Sequence, residues 1–166
     1  MGEAMPVSNK ELLDISVNME QEAQAFYQDL ASHISEPIVK NYLLLMAKDE
    51  AHHENQFKNI LEGKEHYKFG WEDCTALREM IDTRLKPGHL PKFEDLYEDL
   101  PGFESIQKAL NFALIFEELA VEFYGALRKC CEDLETEIIL ITMESEEKSH
   151  RDYIQALIDY WDKSSR

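Results

Sequence analysis

Apolar residues recur along the chain with the period of an α-helix in four long stretches, and no stretch shows the alternation of a β-strand. In the first stretch, Ser8 followed by Glu11 has the form of a capping box. In the second, Pro37 suits a first helical position and Gly63 a C-terminal cap. The pattern predicts helices over about residues 8–33, 37–62, 104–131 and 135–162.

The connections between these helices indicate how they pack. Only a few residues separate the helices of each pair, so each pair is predicted to form an antiparallel hairpin. Residues 63–103 are rich in glycine and proline and are predicted to form a long crossover with short helices at Asp73–Leu85 and Phe93–Leu100. We therefore predict an all-α four-helix bundle in a single domain over residues 1–166, with hairpins at about 8–62 and 104–162.

Composition and charge restrict the partners. The 166 residues, 44% of them hydrophobic, are enough for one core, and the formal charge of −17 repels nucleic acid and anionic membranes while attracting cations. No apolar run reaches the roughly 18 to 20 residues that span a bilayer, and no secretory leader is visible, so we expect a cytoplasmic protein. Cys74, Cys130 and Cys131 form no Cys-x-x-Cys pair, and we expect them to be reduced.

Candidate chemistry begins in the second helix, where Glu50 and His53 stand three residues apart on one helical face with Leu43, Met46 and Phe57. Taken alone, the pair is better explained as a surface glutamate and a core histidine than as a functional site. A repeat changes this interpretation: at an offset of 97 residues the two hairpins align without a gap. The aligned pairs are Glu20 with Glu117, Tyr27 with Tyr124, Glu50 with Glu147 and His53 with His150.

A bundle of these hairpins would direct four carboxylates and two imidazoles into its interior. Buried carboxylates repel one another, and two divalent cations would neutralise four of them. The set of Glu20, Glu50, His53, Glu117, Glu147 and His150 has the arrangement of di-iron and di-manganese carboxylate bundles. Oxygen and imidazole donors suit iron or manganese.

With these residues the chain resembles the ferritin-like superfamily, and most of all its rubrerythrin-type di-iron domain, over about residues 8–62 and 104–162. The resemblance implies a ferritin-like bundle with Glu20 and Glu117 as terminal ligands, Glu50 and Glu147 as bridging ligands, and His53 and His150 as terminal imidazoles.

Further residues lie near this ligand set. Tyr27 and Tyr124 resemble tyrosines that support such sites and are candidate catalytic residues, although core aromatic residues are an equal alternative. Asp49 and Glu146 stand where similar proteins support the histidine of the opposite hairpin, or they face solvent. We expect Glu22, Glu54, Glu118, Glu122 and Glu144 to be surface groups.

Two departures from rubrerythrins matter. Rubrerythrins carry an additional Glu three residues after the ligand of the third long helix, and here that position is Ala120. They also usually have a rubredoxin-like module with two Cys-x-x-Cys pairs, which this sequence lacks. We therefore expect a separate electron donor, such as a rubredoxin-like protein. The symmetric ligand set is closer to that of a bacterioferritin, but no fifth helix is predicted and a storage cage is not expected.

The resemblance implies a di-iron oxidoreductase that reduces H2O2 or O2 while oxidising Fe(II), with a role in oxidative stress or iron homeostasis. The alternative is a non-catalytic protein that binds or stores iron or manganese. A structural bundle that keeps the ligands without using them is a third alternative. We expect two iron ions, with manganese or a mixed pair possible and no haem, and a homodimer without nucleic-acid or membrane partners.

Overall fold

A computed structural model describes residues 2–86, His89 and residues 103–164, and every regular element within these residues is helical. A short helix in the crossover continues into one π-helical turn, Ile81–Leu85. The α-helices are α1 Asn9–Ser32, α2 Pro37–Leu61, α3 Thr75–Met80, α4 Phe103–Cys130 and α5 Leu134–Ser164. The predicted long helices and the predicted helix at about 73–85 are confirmed, and the one at Phe93–Leu100 lies outside the described residues.

Side chains ahead of the long helices fix where three of them begin. The side chains of Ser8 and Glu36 accept hydrogen bonds from backbone N–H groups three residues later, at 3.1 and 2.7 Å. Asp133 does the same ahead of α5 at 3.0 Å. Each of these contacts satisfies an N–H group that has no partner within its helix and stabilises the start by about 1 kcal/mol.

The four long helices form the predicted bundle. α1 packs on α2 and α4 packs on α5, and in each hairpin a connection of a few residues reverses the chain. The core is continuous through both hairpins, and its fully buried side chains include Leu12, Leu43, Phe57, Leu110, Phe123, Leu140 and Ile154. Burying a side chain of this size contributes about 2 kcal/mol, so this face-to-face packing is the main source of stability.

Buried Asn9 fixes the first part of the crossover to the start of α1. Its Nδ2 donates to the backbone oxygens of Lys64 and Tyr67, both at 2.8 Å, and its Oδ1 accepts from Nε1 of Trp71 at 2.9 Å. Gly70 has a φ of +107°, and a Cβ there would lie 2.7 Å from the backbone oxygen of Cys130. The crossover can therefore approach the end of α4 only with glycine at this position.

The expectation of three reduced cysteines is wrong in this structure. Cys74, at the start of α3, and Cys130, at the end of α4, form a disulfide with a Cα–Cα distance of 6.2 Å, and Cys131 is a buried free thiol. The pairing was not predictable from spacing, because the two cysteines are 56 residues apart and only the folded crossover brings them together. Among the described residues, none of the helices has the length and apolar character needed to cross a membrane.

Candidate metal centre

The six candidate ligands lie together inside the bundle, and each long helix contributes at least one. α1 and α4 each supply one glutamate, whereas α2 and α5 each supply a glutamate and a histidine from consecutive turns. All six are 6% exposed or less: Glu20, Glu50, His53, Glu117, Glu147 and His150. The predicted set is thus assembled by the fold, and metal binding by these residues stays a prediction.

The six side chains form two overlapping groups of four. One group contains Glu20 and His53, the other contains Glu117 and His150, and both contain Glu50 and Glu147. Within each group the ligand atoms lie within 4.8 Å of one another. Two metal positions that share Glu50 and Glu147 would fit this geometry, and bridging by these two residues stays a prediction.

Both histidines are held by acids of the opposite hairpin. Nε2 of His53 lies 2.6 Å from Oε2 of Glu146, and Nε2 of His150 lies 3.1 Å from Oδ2 of Asp49. A carboxylate can only accept, so each Nε2 carries the hydrogen when the imidazole is neutral, and Nδ1 carries the lone pair. That lone pair faces the interior carboxylates, which is the orientation that a metal ligand requires. Of the two alternatives for Asp49 and Glu146, the structure places both against histidines, with side chains that are 41% and 42% exposed.

The tyrosines lie next to the terminal glutamates. Tyr27 donates a hydrogen bond to Oε1 of Glu117, and Tyr124 donates to Oε1 of Glu20, so each phenol crosses to the opposite hairpin. Both rings are buried, and burial followed by the neighbouring carboxylates raises the pKa of each phenol well above 10. The two residues are therefore core aromatics and also contact the candidate ligands. A catalytic role remains a prediction.

The electrostatics of the interior favour a cation. Burial, and next the charges of Glu50 and Glu147, raise the pKa of Glu20 and of Glu117 well above the ordinary range. Burial opposes protonation of His150, but its contacts with Glu147 and Glu50 outweigh burial and raise its pKa to about 12. Without a metal, the centre must therefore hold protons to offset its carboxylates.

Unpartnered atoms test whether a metal fits. Among the described residues, both carboxylate oxygens of Glu147, Oε2 of Glu117 and Nδ1 of His150 are buried without a well-directed hydrogen bond, although Nδ1 of His150 lies 3.0 Å from Oε1 of Glu50 and 3.4 Å from Oε2 of Glu147. A buried acceptor without a donor costs about 1 to 3 kcal/mol, and more when it is charged. Divalent cations between these atoms would satisfy all four, and the oxygen and imidazole donors suit iron or manganese.

This bundle has the fold of ferritin-like proteins. Residues 11–86 match the family model of Rubrerythrin. The match includes Glu20, Glu50 and His53 and covers less than half of the chain. The resemblance to rubrerythrin-type ferritin-like proteins is confirmed.

Solved structures support the fold. A protein from Thermotoga maritima, described as ferritin-like and diiron-carboxylate, is 15% identical with a TM-score of 0.72, over 95% of this chain and 98% of that one. A hypothetical protein from Pyrococcus furiosus is 22% identical with a TM-score of 0.67, over 94% and 91% of the two chains. A manganese catalase from Anabaena PCC7120 is 18% identical with a TM-score of 0.61, over 96% and 74%. No curated protein matches the chain significantly.

Two features near the centre were not predicted. Ser16 is fully buried, and its Oγ lies 3.2 Å from the phenolic oxygen of Tyr124. Glu144, expected at the surface, is only 8% exposed and pairs with Arg128 and Lys148. A Cβ on Gly125 would lie 3.3 Å from Oε1 of Glu144, so the glycine in α4 provides the space for this carboxylate. The only sequence signal for Ser16 is that its repeat partner, Ala113, lacks a hydroxyl.

Proposed function

We propose that the protein is a two-metal oxidoreductase that reduces H2O2 or O2 as it oxidises Fe(II). One observation carries the proposal: two buried ligand groups share Glu50 and Glu147, so that two cations can be held side by side. The match to the Rubrerythrin family model over residues 11–86 supports it. The description of the Thermotoga maritima protein as diiron-carboxylate supports iron, whereas the Anabaena protein is a manganese catalase.

When bound, two Fe(II) ions would supply the two electrons that, with two protons, convert H2O2 into two water molecules. The chain provides the setting for this reaction. Glu50 and Glu147 would hold the pair, and the buried apolar walls formed by Leu43, Met46 and their repeat partners exclude bulk water. Tyr27 and Tyr124 keep their protons on the phenol oxygens beside Glu117 and Glu20, and they orient these carboxylates.

The oxidised pair must be reduced again before another cycle. We propose that a rubredoxin-like donor outside residues 1–166 supplies the electrons, since these residues contain no Cys-x-x-Cys pair that could hold such an iron. Oxidative-stress defence or iron homeostasis is the role that fits this chemistry.

Metal analysis and rapid mixing test the proposal. Protein produced with iron should contain about two iron ions per chain, and mixing its reduced form with H2O2 should give a fast optical change. Glu50→Ala should abolish that change because it removes a carboxylate common to both groups. Glu118→Gln, at an exposed acid next to a ligand, is the matched control and should leave the rate unchanged. Iron content well below two per chain, or an unchanged rate in Glu50→Ala, would contradict the proposal.

A second candidate is binding or storage of iron or manganese without turnover. The net charge of −17 and the burial of all six candidate ligands are compatible with this function. The two candidates differ in their reaction with oxidants. A storage protein should bind about two ions per chain but show no fast optical change with either H2O2 or O2.

A further inference from the structure

The two halves of the centre have different surroundings, although the repeat makes their ligands equivalent. On one side, His53 has no exposed surface and its contact with Glu146 is 2.6 Å. On the other side, His150 is 6% exposed and its contact with Asp49 is 3.1 Å. The half that contains His150 is therefore the more exposed one, and its histidine has the longer contact with its supporting acid. We call it the open half and the half with His53 the closed half.

The tyrosine contacts differ in the same direction. On the closed side, Tyr124 contacts both Glu20 and the buried hydroxyl of Ser16. On the open side, Tyr27 contacts Glu117, but the repeat position of Ser16 is Ala113, which has no hydroxyl. Glu20 is thus linked through Tyr124 to the hydroxyl of Ser16, whereas the residue equivalent to Ser16 on the side of Glu117 has no hydroxyl.

A cleft between α2 and α5 leads from the surface to the open half. It has a volume of about 170 Å³, and its inner wall includes His150 and Met46. Tyr42 and Tyr153 stack on one another at its side, with ring centroids 4.2 Å apart and planes inclined by 16°. Leu45, which is 52% exposed, also lines it.

The carboxylates of this cleft would concentrate cations. Asp49, which holds His150, and Glu146, which holds His53, both line it with side chains that are about two-fifths exposed, and of the two histidines only His150 lines it. Two half-exposed acids in a narrow cleft create a local negative potential that raises the concentration and entry rate of cations. An ion in this cleft would lie beside the hydrogen bond between Asp49 and His150, and Nδ1 of His150 faces the candidate metal positions.

We propose that the cleft is a binding and entry site for divalent cations, and that the position at Glu117 and His150 is the exchangeable one of the two. This inference rests on the proposed two-metal centre. It adds a route by which cations enter and distinguishes an exchangeable metal position from a retained one. The position at Glu20 and His53 is the retained one, because His53 has no exposed surface and Ser16 supports the Glu20 contact through Tyr124.

The first experiment follows Co(II) uptake by metal-free protein through its visible absorption. Leu45→Lys places a positive charge in the cleft without touching a ligand. It should slow uptake about tenfold at an ionic strength of about 0.15 M, where charges act over roughly 8 Å. Leu44→Lys is the matched control, because Leu44 is also exposed but is not part of the cleft lining, and its uptake should be unchanged. Equal slowing in both variants would overturn the entry route.

The second experiment follows the release of Co(II) to a chelator in excess. The unaltered protein should release one ion fast and one slowly, and Ser16→Ala should accelerate only the slow ion. Acceleration of the fast ion instead would overturn the assignment of the two positions. Release of both ions in one phase would overturn their inequivalence and leave the proposed function intact. Binding of fewer than two Co(II) per chain would overturn both the inference and the proposed centre.

Discussion

His53 and Glu146 contact each other across the bundle, with Nε2 2.6 Å from Oε2, although 93 residues separate them in the sequence. The contact joins α2 of one hairpin to α5 of the other. It fixes the orientation of the imidazole and keeps the hydrogen on Nε2. Its repeat counterpart is the contact between His150 and Asp49 at 3.1 Å, so the two hairpins hold each other's histidines.

Glu146→Ala should therefore weaken metal binding without unfolding the bundle. Loss of the acid behind a ligating histidine typically lowers metal affinity 10- to 100-fold. Calorimetric titration of metal-free protein with Co(II) measures the effect. Glu135→Ala removes an exposed acid of the same helix and should leave the affinity unchanged. Equal affinities for Glu146→Ala and the control would show that the contact has no part in metal binding.

The tyrosines lead to a second prediction, about the stability of the metal-free protein. Tyr124→Phe should cost more than Tyr27→Phe, because Tyr124 contacts both Glu20 and Ser16 whereas Tyr27 contacts Glu117. Because the raised pKa values of Glu20 and Glu117 favour neutral carboxyl groups in metal-free protein, each hydrogen bond is worth about 0.5 to 1.5 kcal/mol, and a buried polar group left unpaired adds about 1 to 3 kcal/mol. Urea unfolding measures both variants against Tyr160→Phe, whose ring is 57% exposed. A larger loss for Tyr27→Phe would contradict the prediction.

The helices and the ligand set could be predicted because each leaves a local or repeated signal. The helical period, the cap at Ser8 and the first-turn proline at Pro37 define the elements to within one or two residues. The match of Glu20 to Glu117 and of His53 to His150 at one offset identified side chains that share the interior. Residues that repeat at one offset occupy equivalent positions in a bundle of two similar hairpins. Their positions along the chain were therefore enough to predict which side chains meet in the interior.

Other features depend on contacts that no local pattern encodes. Cys74 meets Cys130 only because Asn9 and Gly70 direct the crossover against the end of α4. Glu144 is buried because Gly125, on another helix, leaves room for it. The cleft at His150 exists because the side chains of α2 and α5 do not close the gap between these helices. Such features require the packing of two elements to be known.

The disulfide gives a third prediction. Replacing Cys74 and Cys130 together by serine should lower the melting temperature, because the bond closes a loop between residues 56 apart. Loop-closure entropy for that length is about 4 kcal/mol. Thermal unfolding measures the loss. The Co(II) stoichiometry should not change, since neither cysteine belongs to the ligand groups.

Thiol titration of the unfolded protein provides the control for the disulfide. Without reductant it should detect one thiol, Cys131, and after reduction all three. Detection of three thiols before reduction, in protein purified under air, would contradict the disulfide itself. An unchanged melting temperature in the double variant would instead show that the crossover is held by Asn9 and its partners alone.

Metal removal gives the last prediction, an alkaline loss of stability in the metal-free protein. The pKa of His150 is raised to about 12, and those of Glu20 and Glu117 are also raised, so the folded form binds more protons than the unfolded form above pH 6.5. Stability then falls as pH rises, by about 1.4 kcal/mol per pH unit for each extra proton. Urea unfolding between pH 6.5 and 9 should show this decline in metal-free protein and little of it in metal-loaded protein, where cations replace the protons. Parallel declines in both forms would show that the centre is not its source.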